Sequence, residues 1–177
     1  MLIARQKRKE NIAEYLLYMW QVEDMIRACS FNLGRINENI IDCFDQPPAV
    51  KNEMREWYQN LIDMMLHEGV REKGHIQINN NILIELDDLH RQLLELPEEV
   101  AYGSKFYHTL PYLSELRQKS SNACSEKDIT TAFNALYGYM LLRLQKKEIS
   151  AETTEAMKQI GSFLALLAQK YNQEKAK

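Results

Sequence analysis

From Tyr15 to Phe44 the apolar residues fall three or four positions apart without interruption: Tyr15, Met19, Val22, Ile26, Cys29, Leu33, Ile36, Ile40 and Phe44. Residues at that spacing share one side of an α-helix but alternate between the two faces of a strand. Such a segment can bury its apolar side only as a rod packed against other rods. The same spacing recurs in Val50, Met54, Trp57, Leu61, Met64, then in Ile82, Leu86, Leu89, Leu93, Leu96. It returns in Ile129, Phe133, Leu136, Met140, Leu144 and in Met157, Ile160, Leu164, Leu167, Tyr171. No segment shows the alternation of a half-buried strand. With only 6 Gly and 4 Pro in 177 residues, the elements must be long. The sequence therefore predicts an all-α fold: one helical bundle domain over residues 1–177, with five to six helices.

The boundaries follow from the helix breakers. An unbroken helix from Arg5 to Phe44 would be about 60 Å long, whereas a compact chain of this size is roughly 40 Å across. This long N-terminal helix should bend or break, with Ser30, Asn32 and Gly34 its weakest helix formers. Pro47 and Pro48 stop it. The second helix should end near Gly69 or Gly74, and the third near Leu96, with Pro97 opening the fourth. Pro111 either kinks the fourth helix or opens a new one capped by Thr109, and a loop follows at Ser120-Ser121-Asn122. The fifth helix starts near Ser125-Glu126-Lys127-Asp128 and is apolar nearly all round, which predicts a central, buried position. The sixth starts near Ser150, and its tail from Asn172 to Lys177 should fray.

Charge and cysteine content exclude several function classes. A net charge of −3 gives no field to recruit nucleic acid or an anionic membrane, and Arg5, Lys7, Arg8 and Lys9 form only a local basic cluster. Cys29, Cys43 and Cys124 are too sparse and widely spaced for a disulfide framework or a zinc site, which fits reduced thiols in the cytoplasm. Cys124 alone falls in a polar loop near a helix start, a position that lowers a thiol pKa. No run approaches the ~20 apolar residues of a membrane span, and no targeting signal is legible.

Candidate chemistry concentrates on the third and fourth helices. His90 falls inside the apolar arc of the third helix, with Asp87 one turn earlier at its edge. A carboxylate there can reach the imidazole, either as a structural pair or as an acid–base or metal site. Tyr102, Phe106, Tyr107 and Tyr112 cluster on the irregular fourth helix and, with His90 and Asp87, could line a small-ligand pocket. A di-iron bundle needs inward-facing glutamates; Glu23 lies off the main stripe of helix one, where it is placed to pair with Arg27. No cofactor or metal is expected. There is no Gly-x-Ser-x-Gly elbow and no phosphate loop. On helix one, Ile12, Leu16, Leu17 and Trp20 form a second apolar face, and Leu166 lies opposite the buried side of the last helix. Another helix of the same chain covers that face, or a second subunit does.

The opening Ile12-Ala13-Glu14-Tyr15-Leu16-Leu17-Tyr18-Met19-Trp20-Gln21 and the run Phe133-Asn134-Ala135-Leu136-Tyr137-Gly138 resemble an uncharacterised bacterial family, a domain of unknown function of about this length. The resemblance implies an all-helical fold and carries no catalytic residue with it. The residues themselves favour a non-enzymatic module acting through contact with a protein, a second copy or another chain. A small-ligand-binding bundle is the alternative, and a metal-dependent enzyme using Asp87 and His90 the third reading.

Overall fold

Two local stops cut the N-terminal stripe into separate rods. The computed structural model describes residues 2–119 and 126–175, and among these there are eight α-helices and one π-helical turn, with no strand. They are α1 (Leu2–Glu10), α2 (Ile12–Ala28), α3 (Leu33–Ile36), the π turn (Asn37–Ile41), α4 (Pro48–His67), α5 (Gln77–Glu95), α6 (Val100–Lys119), α7 (Asp128–Leu144) and α8 (Ala151–Lys175). The all-α class holds, and the expected five to six helices become eight because the first rod breaks twice. At the first break the Asn11 side chain accepts a hydrogen bond from the Ala13 amide at 3.0 Å, an Asx cap that starts α2 afresh. At the second, Ser30 and Phe31 turn into left-handed backbone, with φ of 54° and 58°, and Asn32 caps α3 through the Arg35 amide. This is the break expected at Ser30–Gly34. The loop residues Ser120 to Asn122, Cys124 and the start of the expected capping box at Ser125 lie outside the described residues.

The chain forms two compact units, one of residues 1–10 and 14–81, the other of residues 11–13 and 82–177. In the first, α3 and the π turn pack on α4, whose buried side is Tyr58, Leu61, Ile62 and Met65. Asp42, just past the π turn, faces Lys51 at 3.9 Å and Arg55 at 3.7 Å on α4. Pro48 opens α4, where its missing amide has no intrahelical partner to lose. Gly69 and Gly74, with φ of 72° and 86°, turn the chain from α4 towards α5.

In the second unit α6, α7 and α8 pack pairwise, and residues 82–95 of α5 join them through buried Leu86, Leu89 and Leu93. Of the α5 stripe, only Leu96 ends up exposed, beyond the helix end. α6 runs through Pro111 as one helix. Pro97 precedes α6 instead of opening it, and Val100 is its first residue. α8 continues to Lys175, past the point where fraying was expected, because the Tyr171 hydroxyl donates to Glu85 at 2.7 Å and Lys175 pairs with the same carboxylate at 3.2 Å. The expectation of a central, buried fifth helix is overturned. α7 buries Ile129, Thr131, Ala132 and Phe133, but from Asn134 onward no residue is buried, and Leu142 and Leu144 are exposed. A Cβ at Gly138 would meet nothing among the described residues. The apolar circumference reflects a helix half covered along its length, not one at the middle.

Left-handed backbone at a serine costs energy that glycine does not incur. Replacing exposed Ser30 (Ser30→Gly) is expected to raise the unfolding free energy by about 0.5–1 kcal/mol, read from the urea midpoint. A lower midpoint would mean that the Ser30 side chain holds the turn.

Candidate functional site

The residues singled out on α5 and α6 separate into a packed core and an open surface. His90 is buried, its Nδ1 2.7 Å from the Tyr102 hydroxyl. The rings of Phe106 and Phe163 stand edge-on to it at 4.6 and 5.7 Å between centroids, and Tyr102 at 5.8 Å. One hydrogen bond joins the imidazole to the phenol, so Nδ1 and the hydroxyl are paired inside an aromatic cluster. Burial lowers the His90 pKa below the usual histidine value, against the raising influence of Asp128 and Asp87. Burial likewise pushes the Tyr102 hydroxyl far above its ordinary range, with Glu99 adding to the effect. Asp87 turns away from the imidazole: its carboxylate accepts from Lys127 at 2.8 Å and lies 3.4 Å from Arg91. The one-turn spacing of Asp87 and His90 thus places them on one side of α5 while each finds a partner on another element.

Tyr107 is not part of this cluster's buried side. It is 64% exposed and lines an open groove of about 330 Å³ at the corner between α5 and α6, with Leu93, Leu94, Leu96, Pro97 and Val100. Leu96 and Val100 are also exposed, at 44% and 72%. Tyr112 is half-buried. Among the described residues no three His, Cys, Asp or Glu side chains gather where they could hold a metal ion.

The second face of helix one is covered from within the chain. Ile12, Leu16 and Trp20 are buried, while Leu17 and Leu166 are half-buried. Of the two coverings the sequence allowed, the same chain supplies this one at Trp20, whose indole stacks on the His75 ring at 4.0 Å and 8°.

That covering carries a feature the sequence reading placed wrongly. Glu23 continues the line of Leu16 and Trp20, seven and three residues on, and it is fully buried. Its Oε2 lies 2.6 Å from His75 Nδ1, and its Oε1 accepts from the Asn79 side-chain amide at 2.7 Å and the Ile76 backbone amide at 3.3 Å. Arg27, one turn later, is 4.0 Å from the carboxylate. It donates to Asp24 and to the carbonyls of Val70 and Gly74. One buried carboxylate and one guanidinium therefore fasten Val70, Gly74, His75 and Ile76 of the connection between α4 and α5. The signal for this was available: Glu23 sits on the second apolar face, and a polar residue on a face buried within the chain needs partners.

A family profile described as Domain of unknown function (DUF4924) matches residues 1–177, and the chain belongs to that family. No curated protein and no solved structure matches it at significance. None of the described helices is long and apolar enough to cross a membrane.

Two outcomes follow. Glu23→Ala leaves the Ile76 amide, the Asn79 amide and His75 without their acceptor, and is expected to cost about 3 kcal/mol or more in denaturant unfolding, with Glu23→Gln costing less. Equal, small losses in both would show that the carboxylate is solvated. His90 binds a proton less readily folded than unfolded, so its contribution to stability is complete above the unfolded pKa and declines as the pH falls through it. The loss of stability between pH 7 and pH 5 should be smaller in His90→Gln than in the parent, the difference being at most about 1.4 kcal/mol per pH unit. Identical slopes would refute the assignment.

Proposed function

We propose that this DUF4924 chain is a non-enzymatic interaction module, and that it makes contact with a second copy of itself through the groove at the α5–α6 corner. The observation that carries the reading is the exposure of Leu96, Val100 and Tyr107 around one apolar depression. Scattered apolar residues are ordinary on a surface, but a contiguous set around a groove marks a contact site. The one charged residue in its lining, Glu99, is taken up by Lys170 at 2.6 Å, so it leaves the depression without an uncompensated charge to desolvate. Tyrosine, the side chain that Tyr107 presents, is among those enriched at the centres of protein interfaces. A two-fold dimer is the default for a soluble self-associating chain. The unpaired thiols of Cys29 and Cys43 fit a reducing, cytoplasmic setting.

The small-ligand reading loses ground at His90, where Tyr102, Phe106 and Phe163 occupy the surroundings of the ring. The metal-enzyme reading loses its pair, since Asp87 is engaged by Lys127 and Arg91.

Sedimentation velocity over a hundred-fold concentration range tests the proposal. The parent is expected to shift from monomer to dimer, and Val100→Glu with Tyr107→Ser to remain monomeric with unchanged helicity. A parent that stays monomeric throughout, or a double variant that dimerises as well as the parent, would contradict it.

A further inference from the structure

A second depression, in the first unit, has a different chemistry. It is a cleft of about 610 Å³ between α1, α2 and α4, within the size range of sites for small organic ligands. Its base is apolar: Tyr15, Met19 and Leu61 are buried beneath it, with Trp57 and Met64 half-buried beside them. Two charged walls rise from that base. Arg5 and Arg8 stand one turn apart on α1, and Glu53 and Glu56 one turn apart on α4. All four side chains are exposed. Arg8 also lies over the Tyr15 ring, its guanidinium carbon 5.6 Å from the centroid, which ties the basic wall to the base of the cleft. Among the described residues no ion pair joins the two walls, although both border the same cleft.

We infer that the cleft is a binding site for a short zwitterionic peptide with apolar side chains. A polyanion such as a nucleotide would meet Glu53 and Glu56, and a polyamine would meet Arg5 and Arg8, so each wall rejects what the other would attract. A neutral lipid would leave both walls unpaired. A molecule with a carboxylate at one end and an ammonium at the other satisfies both. Guanidinium groups bind carboxylates through paired N–H donors, and carboxylates accept from an ammonium. The side chains of the peptide would rest on Met19, Leu61, Met64 and Trp57. The thioethers of Met19 and Met64 are adaptable apolar contacts, suited to side chains of varied shape. The inference is independent of the corner groove, which draws on other residues.

The test is isothermal titration calorimetry of the full chain with leucyl-phenylalanine, its N-acetylated form and its C-terminal amide. The free dipeptide is expected to bind at least ~10-fold more tightly than either capped form. In Arg5→Gln/Arg8→Gln the preference over the amide should vanish while the preference over the acetylated form persists. In Glu53→Gln/Glu56→Gln the opposite pattern is expected. All four positions are exposed, and matching circular dichroism spectra will establish that the variants fold. Absence of binding at about 10 mM ligand, equal affinity for the three forms, or preferences that survive both double substitutions would each overturn the assignment.

Discussion

A carboxylate without water must be surrounded by donors, and Glu23 imposes that demand on the first unit. Its two oxygens are met by three groups that lie 52 to 56 residues later in the chain: His75, the Ile76 amide and the Asn79 side chain. The alternative to this arrangement is an uncompensated buried charge, which costs several kcal/mol. The geometry is therefore close to obligatory once α2 buries its second face. Trp20 closes the site from one side by stacking on His75, and Arg27 anchors the carbonyls of Val70 and Gly74. The irregular backbone between α4 and α5 has polar groups to satisfy, and α2 supplies the side chains that satisfy some of them.

Periodicity revealed the rods but not what lies against them. The stripe of α2 from Tyr15 to Ile26 is buried as its spacing implies. The break near Ser30 was legible because length, weak helix formers and the following asparagine all pointed there. The break at Asn11 was not, since a single asparagine between two good helical runs carries little weight until its side chain is seen to cap. The position of Glu23 escaped for a related reason. Measured from the main stripe it is a surface residue; measured from Ile12, Leu16 and Trp20 it is a core residue. Only the knowledge that the chain covers that second face decides between the two.

The same limit explains α7 and the α5–α6 residues. An apolar circumference says that a helix could be buried on every side, yet α7 is buried only over its first turns. The spacing of Asp87 and His90 permits a bond that competition then prevents: Lys127 and Arg91 take the carboxylate, and Tyr102 takes the imidazole. The six residues expected at one ligand site divide: His90, Tyr102 and Phe106 pack in an aromatic core, Asp87 is buried in an ion pair with Lys127, Tyr107 lines an open groove, and Tyr112 is half-buried. The proposed contacts fall at the open features, the corner groove with exposed Leu96, Val100 and Tyr107 and the charged cleft with exposed Arg5, Arg8, Glu53 and Glu56.

α2 is held by a carboxylate enclosed in protein. Amide hydrogen exchange at Ile76 tests it most directly. That N–H precedes the first turn of α5 and its acceptor is the Glu23 side chain. Slow exchange at Ile76, on the scale of amides inside α2, is expected. Exchange at the rate of an exposed loop amide would contradict it.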